Sequence, residues 1–305
     1  MRYWKEYHMP QHLDEALGLL ERYGGRATII AGGTDLLLDL DEGRHPPVEA
    51  LVDVTRIPAM HGIRREGNTI YIGAAVTHSQ IEASPLLQEH ATCLVESCGV
   101  IGGPQVRNVA TLGGNVAHAL PAADGTVSLV ALGAEALVAR RHPDGAITQE
   151  WHPILDLFLG PGRSAVDHSR EIIVAFRFPA RSALEGSAFE RIMRPQGIAL
   201  PILGVAARVA VTPDSDHFAR VQICIGPAGP VPFRATAAER LLQGRPIAEE
   251  SIEAAIAAAQ EEARVRTSRH RATKEYRQEM IAVLLRRVLP KAVERARTYD
   301  ANRDT

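Results

Sequence analysis

Two glycine pairs, each set between an apolar run and a polar stretch, constrain this chain more than any other feature. The first lies in Ala31-Gly32-Gly33-Thr34-Asp35, directly after an apolar segment, and the second in Thr111-Leu112-Gly113-Gly114-Asn115. With no Cβ, a glycine lets the backbone take a positive φ and approach a ligand closely. Successive free N–H groups in such a bend form a concavity that attracts phosphate oxygens. Two such bends on separate segments suit the linked phosphoryls of a dinucleotide. Taken singly, a glycine pair after a strand is an ordinary turn, so the weight falls on what accompanies the pairs.

The bulk properties narrow the setting. A chain of 305 residues, 46% of them hydrophobic, can build two or three compact units without disulfide staples. A net charge of −2 offers no basic field for nucleic acid. The start, Met1-Arg2-Tyr3-Trp4-Lys5-Glu6, lacks the apolar segment of a signal peptide. No uninterrupted apolar stretch reaches the roughly 18 residues of a membrane span. The nearest, 198–211, is broken by Pro201 and Arg208. A cytoplasmic protein is expected. The three cysteines, Cys93, Cys98 and Cys224, are odd in number and lack CxxC spacing, so they read as small buried hydrophobes rather than ligands to a cluster. Among the histidines only His8 and His12 have HxxxH spacing, and Pro10 breaks the helix that would align them. No metal site is expected. His118 stands apart, because it follows Asn115 closely enough to reach whatever the second bend holds. His270 lies in a basic stretch with Arg264, Arg266, Arg269 and Arg271, which reads as a solvated face, a partner contact or a seat for a nucleotide's end.

Periodicity divides the chain into three units. Residues 1–55 read as strand 3–7, a helix carrying Leu13, Ala16, Leu17 and Leu20 on one face, strand 27–30, a helix from Leu36 and strand 51–54. Gly24-Gly25 stops the first helix. Residues 56–179 read as strand 69–74, helices 77–83, 86–98 and 127–132, and strands 135–140 and 172–178, closed by Pro179. Residues 185–290 read as strands 206–211 and 221–225 about the turn Thr212-Pro213-Asp214-Ser215-Asp216, then helices 235–242, 252–263 and 273–289. A charged tail, 291–305, follows.

Several segments occur in a family-like order. They are Ala31 to Asp35, Leu51-Val52-Asp53-Val54-Thr55-Arg56-Ile57, Ile72-Gly73-Ala74-Ala75 with Thr77, Gly103-Pro104-Gln105-Val106-Arg107, Thr111 to Asn115, Pro121-Ala122-Ala123-Asp124, and Glu275-Tyr276-Arg277. On these the chain resembles the FAD-binding medium subunit of the molybdenum hydroxylases, the carbon monoxide dehydrogenase and xanthine dehydrogenase group, over residues 3–290. The resemblance implies an α+β fold: a two-lobed FAD-binding domain of the vanillyl-alcohol-oxidase (PCMH) type, followed by a smaller α/β C-terminal domain with an antiparallel sheet and helices.

It also implies site roles. Ala31, Gly32, Gly33, Thr34, Asp35 and Leu36 would wrap the FAD diphosphate through backbone N–H groups, met from the other side by Thr111, Gly113, Gly114 and Asn115. Asp124 matches a family carboxylate near the cofactor's sugar; its other reading is an N-cap for the helix at Val127. Thr34 or Asp35 can likewise cap the helix at Leu36, and the Asp35 side chain is expected to turn away from phosphate. Ile101 falls where an apolar side chain borders the flavin or adenine. Arg191 and Arg194 flank Pro195-Gln196-Gly197-Ile198-Ala199-Leu200, where some relatives carry an aromatic residue beside the flavin and this chain carries Ile198. Both arginines read either as charge near the flavin or as a surface salt bridge.

The implied function is electron transfer, with no catalytic acid or base on this chain, since the flavin carries the chemistry. The implied partners are a large molybdopterin-containing subunit and a small subunit with two [2Fe–2S] clusters, in a heterotrimer that pairs into a heterohexamer. NAD, a quinone or oxygen would be the acceptor. The [4Fe–4S] loop of 4-hydroxybenzoyl-CoA reductases is not found, because His118-Ala119-Leu120 runs straight into Pro121. The alternative is a stand-alone flavoprotein oxidase or reductase related to UDP-N-acetylenolpyruvoylglucosamine reductase.

Overall fold

The computed structural model describes residues 3–194, 200–268 and 271–298. The first lobe comprises β1 (Glu6–His8), α1 (Leu13–Tyr23), β2 (Ala27–Ile30), α2 (Leu36–Asp41) and β3 (Ala50–Asp53). Its sheet is parallel in the order β1-β3-β2, with Glu6 and Ala27 both opposite Ala50. Helix α1 forms because its apolar residues recur on one face, and that face turns Ala16, Leu17, Leu20 and Tyr23 into the core. Burying Leu17 and Leu20 contributes about 2 kcal/mol each. Gly24 ends the helix in the left-handed conformation. The first strand starts at Glu6 rather than Tyr3. Tyr3 is held differently, its hydroxyl donating to Asp41 Oδ1 at 2.7 Å.

The second lobe runs β4 (Ile63–Glu66), β5 (Thr69–Gly73), α3 (His78–Ala83), α4 (Pro85–His90), α5 (Thr92–Gly99), α6 (Pro104–Arg107), α7 (Leu112–Ala117), α8 (Asp124–Ala131), β6 (Glu135–Arg141), β7 (Ile147–Pro153), β8 (Phe158–Gly160), β9 (Arg163–Ser164) and β10 (Glu171–Pro179). Its main sheet is antiparallel, ordered β4-β5-β10-β6-β7. The two edge strands, β4 and β7, escape a periodicity reading because they are largely polar and exposed. The helix expected over 86–98 is two helices, since Ala91 leaves helical geometry at φ −148°.

The last unit comprises β11 (Glu185–Met193), β12 (Pro201–Val211), β13 (Phe218–Gly226), β14 (Phe233–Arg234), α9 (Thr236–Leu242), α10 (Glu249–Glu262) and α11 (Lys274–Thr298). The strands pair antiparallel in chain order, and α11 packs across β11 and β12. Helix α11 continues nine residues beyond Leu289, through Pro290 to Thr298. Pro290 removes one N–H on the solvent side, while Ala292, Val293 and Ala296 keep the far end packed.

Every residue of α8 is buried, because the helix packs among α5, α7, β12 and β13. Its sequence, DGTVSLVA, is apolar or small on all sides, which suits a helix with no face toward water. Among the described residues no helix is long and apolar enough to cross a membrane.

Candidate functional site

Strand β2 delivers the chain into the first glycine pair at the carboxyl end of the parallel sheet. Gly33 takes φ +68°, a conformation that disfavours a side chain, and Asp35 is the residue before α2. Among the described residues, the backbone N–H groups of Ala31 through Leu36 find no acceptor. The Thr34 hydroxyl makes no bond there either. These residues are half-buried apart from exposed Asp35. A row of amides at the surface with unmet donors is what an anion-binding bend presents. The Asp35 side chain is 64% exposed and caps nothing. Gly32 has a different task. A Cβ there would lie 2.2 Å from the Val109 carbonyl oxygen, so glycine is required for two protein backbones to cross.

That crossing places the first bend against the entry to the second. Residues 111–115 are not an open nest. Thr111 caps α7, its hydroxyl accepting from Gly114 N–H at 3.1 Å. Leu112 N–H bonds Val76 O, Gly113 N–H bonds Ala74 O and Asn115 N–H bonds Thr111 O. The expected positive-φ bend is therefore a correction: the second pair is the first turn of a helix. Gly113 is needed because a Cβ would meet Ala74 O at 2.6 Å, whereas Gly114 is exposed and would meet only the Thr111 hydroxyl at 3.2 Å. Asn115 contributes through its side chain. Its Oδ1 accepts from Thr126 N–H at 3.1 Å and Thr126 Oγ1 at 3.2 Å. A backbone N–H can only donate, so the amide is fixed with Nδ2 turned away from Thr126.

Asp124 opens α8 without capping it, since no side-chain bond reaches the helix amides. The N-cap reading is corrected. The carboxylate instead meets Arg191 of β11, Oδ2 to Nη1 at 2.5 Å, with the two side chains 3% and 6% exposed. This ion pair is buried, so the surface-bridge reading of Arg191 is corrected as well. Arg191 also donates to Val100 O at 2.5 Å. Burial pushes the Asp124 carboxyl up to about 6 against the pull of Arg191. Asp124 Oδ1 and Arg191 Nε are buried without a partner, and such orphaned groups are costly unless something completes them. Ile101 sits half-buried one residue beyond Val100. Arg194 is exposed at the end of the described segment, and Ile198 lies outside the described residues.

His118, the residue that follows α7, sits between the two motifs. Its Nδ1 lies 3.8 Å from Asp35 Oδ2, and its Nε2 lies 3.5 Å from Asp39 Oδ2 on α2. The ring thus stands between the second motif's helix and the first motif's helix and pairs with the Asp35 and Asp39 carboxylates only when it is protonated.

Three residues were not picked out by sequence. Thr126 fixes Asn115. Its signal was slight, a polar residue inside an otherwise buried helix. His78 is 1% exposed, donates its backbone N–H to Ala110 O, and leaves Nδ1 without a partner. Burial, aided by the Arg107 charge, pushes its imidazole down to about 4. The legible clue was Thr77-His78-Ser79-Gln80, a capping box that starts α3. Tyr7 donates to buried Asp53 Oδ2 at 2.7 Å, and Asp53 Oδ1 accepts from Thr55, so Asp53 serves the fold.

A parallel-sheet lobe and an antiparallel lobe that meet at an anion-ready bend, followed by an antiparallel sheet with helices, define an FAD-binding oxidoreductase subunit. Residues 3–181 match the FAD binding domain in molybdopterin dehydrogenase, and residues 187–292 match the CO dehydrogenase flavoprotein C-terminal domain. The chain belongs to this molybdopterin dehydrogenase flavoprotein family, and FAD is its cofactor. It is 31% identical over 296 residues to the xanthine dehydrogenase FAD-binding subunit of Escherichia coli O157:H7, covering 95% of this chain and 96% of that one. It is 32% identical over 254 residues to the carbon monoxide dehydrogenase medium chain of Hydrogenophaga pseudoflava, covering 83% and 85%. The fold superposes on a chain of the carbon monoxide dehydrogenase structure from that organism with TM-score 0.87 and 30% identity, covering 95% of this chain and 98% of the other.

Proposed function

We propose that this chain is the FAD-carrying electron-transfer subunit of a multi-subunit molybdenum hydroxylase. It receives electrons from [2Fe–2S] clusters on a small partner and passes them to NAD, a quinone or oxygen. A large molybdopterin-containing subunit completes a heterotrimer, paired into a heterohexamer in the cytoplasm. The FAD-binding domain spans 1–179, with lobes meeting near residue 55, and the C-terminal domain spans 185–290.

The observation that carries the reading is the row of unbonded N–H groups from Ala31 to Leu36. These amides and the Thr34 hydroxyl take the FAD diphosphate. Thr111, Gly113 and Gly114 shape the facing wall, and Asn115 directs Nδ2 toward the cofactor. Ile101 gives an apolar edge. Asp124 and Arg191 form a fixed charged wall where α8 meets β11, and His118 holds Asp35 and the bend in place. Bound FAD supplies the ability to take electrons singly and release them in pairs. The protein's part is to hold it, orient it and set the charge around it, and no side chain here acts as acid or base on a substrate.

The relatives' names support the assembly: a medium chain and an FAD-binding subunit are parts of larger enzymes. The test compares the purified chain with its native complex under anaerobic conditions. The complex's organic substrate should bleach the flavin in the complex and leave it unchanged in the isolated chain. Bleaching of the isolated chain by a small substrate would favour the stand-alone flavoprotein.

A further inference from the structure

Arg269 and His270 of the basic stretch lie outside the described residues. Two arginines elsewhere converge on the loop of residues 100–103, which joins α5 to α6. Arg191 Nη2 donates to Val100 O at 2.5 Å. Arg107, the last residue of α6, donates through Nη1 to Ile101 O and to Gly102 O, both at 3.4 Å. Three successive carbonyls are thus drawn to guanidinium groups. The Arg107 side chain is 15% exposed, and its Nε is held by Glu82 Oε2 of α3 at 3.2 Å. Gly99 leaves room for that carboxylate, since a Cβ there would lie 3.4 Å from Glu82 Oε1.

The carbonyls decide where the amides point. Across a trans peptide, C=O and N–H project in opposite directions. Arg107 therefore turns the N–H groups of Gly102 and Gly103 to the far side of the loop. Among the described residues neither finds an acceptor, and both glycines are half-buried. Gly102 takes φ +53° and is seated on α6, where a Cβ would lie 3.0 Å from Val106 Cβ. Helix α6 in turn leads to Val109, whose carbonyl crosses Gly32. One segment, 100–110, therefore runs from the buried Asp124–Arg191 pair to the anion-ready bend.

A single guanidinium on a carbonyl is an ordinary brace. Here two long side chains, from α6 and β11, are ordered on one short loop at a cost in rotamer freedom, and together they fix which edge of it faces outward. The donors of 112–115 are spent within the protein, and the FAD diphosphate has its own row at 31–36. Two N–H groups beside the Ile101 side chain suit a ring with apolar faces and carbonyl oxygens on its edge, and the flavin is such a ring.

We propose that Arg107 is a positioning residue for the flavin: with Arg191 it holds loop 100–103 by its carbonyls, so that the Gly102 and Gly103 N–H groups donate to carbonyl oxygens of the isoalloxazine ring beside Ile101. This rests on the electron-transfer reading above. Donors at those oxygens favour the negative charge that the ring gains on reduction. The test uses the full chain loaded with FAD and reads the flavin absorption spectrum, the midpoint potential and the rate of FAD release. Arg107→Gln frees the loop, and Gly102→Ala displaces it with both arginines in place. In each the spectrum should shift, the potential should fall and FAD should leave roughly tenfold faster, as for about one lost hydrogen bond, with circular dichroism unchanged. Arg107→Lys keeps the charge without the fork and should show a smaller shift in the same direction; it stands in for Arg107→Gln if that variant does not fold. A wild-type spectrum and potential in the variants, with only melting temperature or release altered, overturns the proposal, because the loop then braces the fold or holds another part of FAD. A shift in Gly102→Ala without one at Arg107 overturns it as well, by removing the arginine from the role. Absence of flavin from wild type itself would sink the electron-transfer reading instead.

Discussion

Along residues 31–36 the amide hydrogens face no described acceptor, while along 112–115 each is bonded within the protein. Both segments read Gly-Gly between apolar and polar stretches. A missing Cβ serves two ends: it opens a bend to a ligand, or it lets another backbone cross. Gly33 takes the positive φ that such an open bend requires. Gly32 and Gly113 do the second, against Val109 and Ala74. What separates the cases is the destination of the N–H groups, a question of full accounting. The two segments are also coupled, because the crossing at Gly32 is made with the residues that lead into Thr111.

Gly32→Val is the strongest way to break this contrast. Its Cβ would overlap the Val109 carbonyl, and a backbone atom cannot rotate aside. The two segments must part, at a cost at or above the roughly 1–3 kcal/mol of ordinary overpacking. The expected outcome is a chain purified without flavin and with a much lower melting temperature. Full flavin content in this variant would mean that the crossing does not hold the site together.

Acid should loosen the second motif first. His78 is held at about 4 by burial, against an ordinary value of 6.5. The folded state therefore binds its proton less readily than the unfolded chain. The stability that the neutral ring represents is complete above about 6.5 and falls as pH drops toward 4. At about 1.4 kcal/mol per pH unit, the loss approaches 3 kcal/mol. Because His78 bonds Ala110 beside Thr111, the effect belongs to the second motif. His78→Leu should flatten the decline of melting temperature between pH 6.5 and 4, and an unchanged slope would assign the acid sensitivity elsewhere.

A finer contrast lies within the second pair. Gly113→Ala places a methyl 2.6 Å from Ala74 O and should cost about 1–3 kcal/mol in chemical denaturation. Gly114→Ala meets only a hydroxyl at an exposed position and removes a flexible residue from a helix, so it should be neutral or slightly stabilising. Equal effects would show that the pair acts as a unit.

These differences also mark what sequence makes legible. Helix α1, strand β2 and helix α2 follow from apolar spacing and the Gly24 stop, so the elements of the first lobe were readable, although its first strand starts at Glu6 rather than Tyr3. The order of the motifs carried the family and the cofactor. The pairing of Asp124 with Arg191 spans 67 residues and leaves no local trace. Strand β11 was missed because its buried half, Glu185 to Phe189, is small or polar up to Ala188 and does not alternate. The second glycine pair was misread as a bend, although Thr111 three residues before Gly114 is a good N-cap. Donor accounting needs the partners, Val76 and Ala74, which only the fold brings near.

The smallest expected effect concerns the link between the motifs. His118 stands 3.8 Å from Asp35 and 3.5 Å from Asp39, partly exposed to water. Asp39 also accepts from Arg44 at 2.6 Å, so it retains a cation if His118 is lost. Water and salt screen such pairs, which leaves about 0.2–1 kcal/mol for the protonated ring. His118→Gln should therefore lower the melting temperature by no more than a few degrees at low salt and not at all at high salt. The sharper readout is flavin release. If His118 only steadies the bend through Asp35, the variant releases FAD somewhat faster at low salt and at the wild-type rate at high salt. Faster release that persists in high salt would mean that the imidazole touches the cofactor itself, and the two motifs would then share the ligand through side chains as well as through the crossing at Gly32.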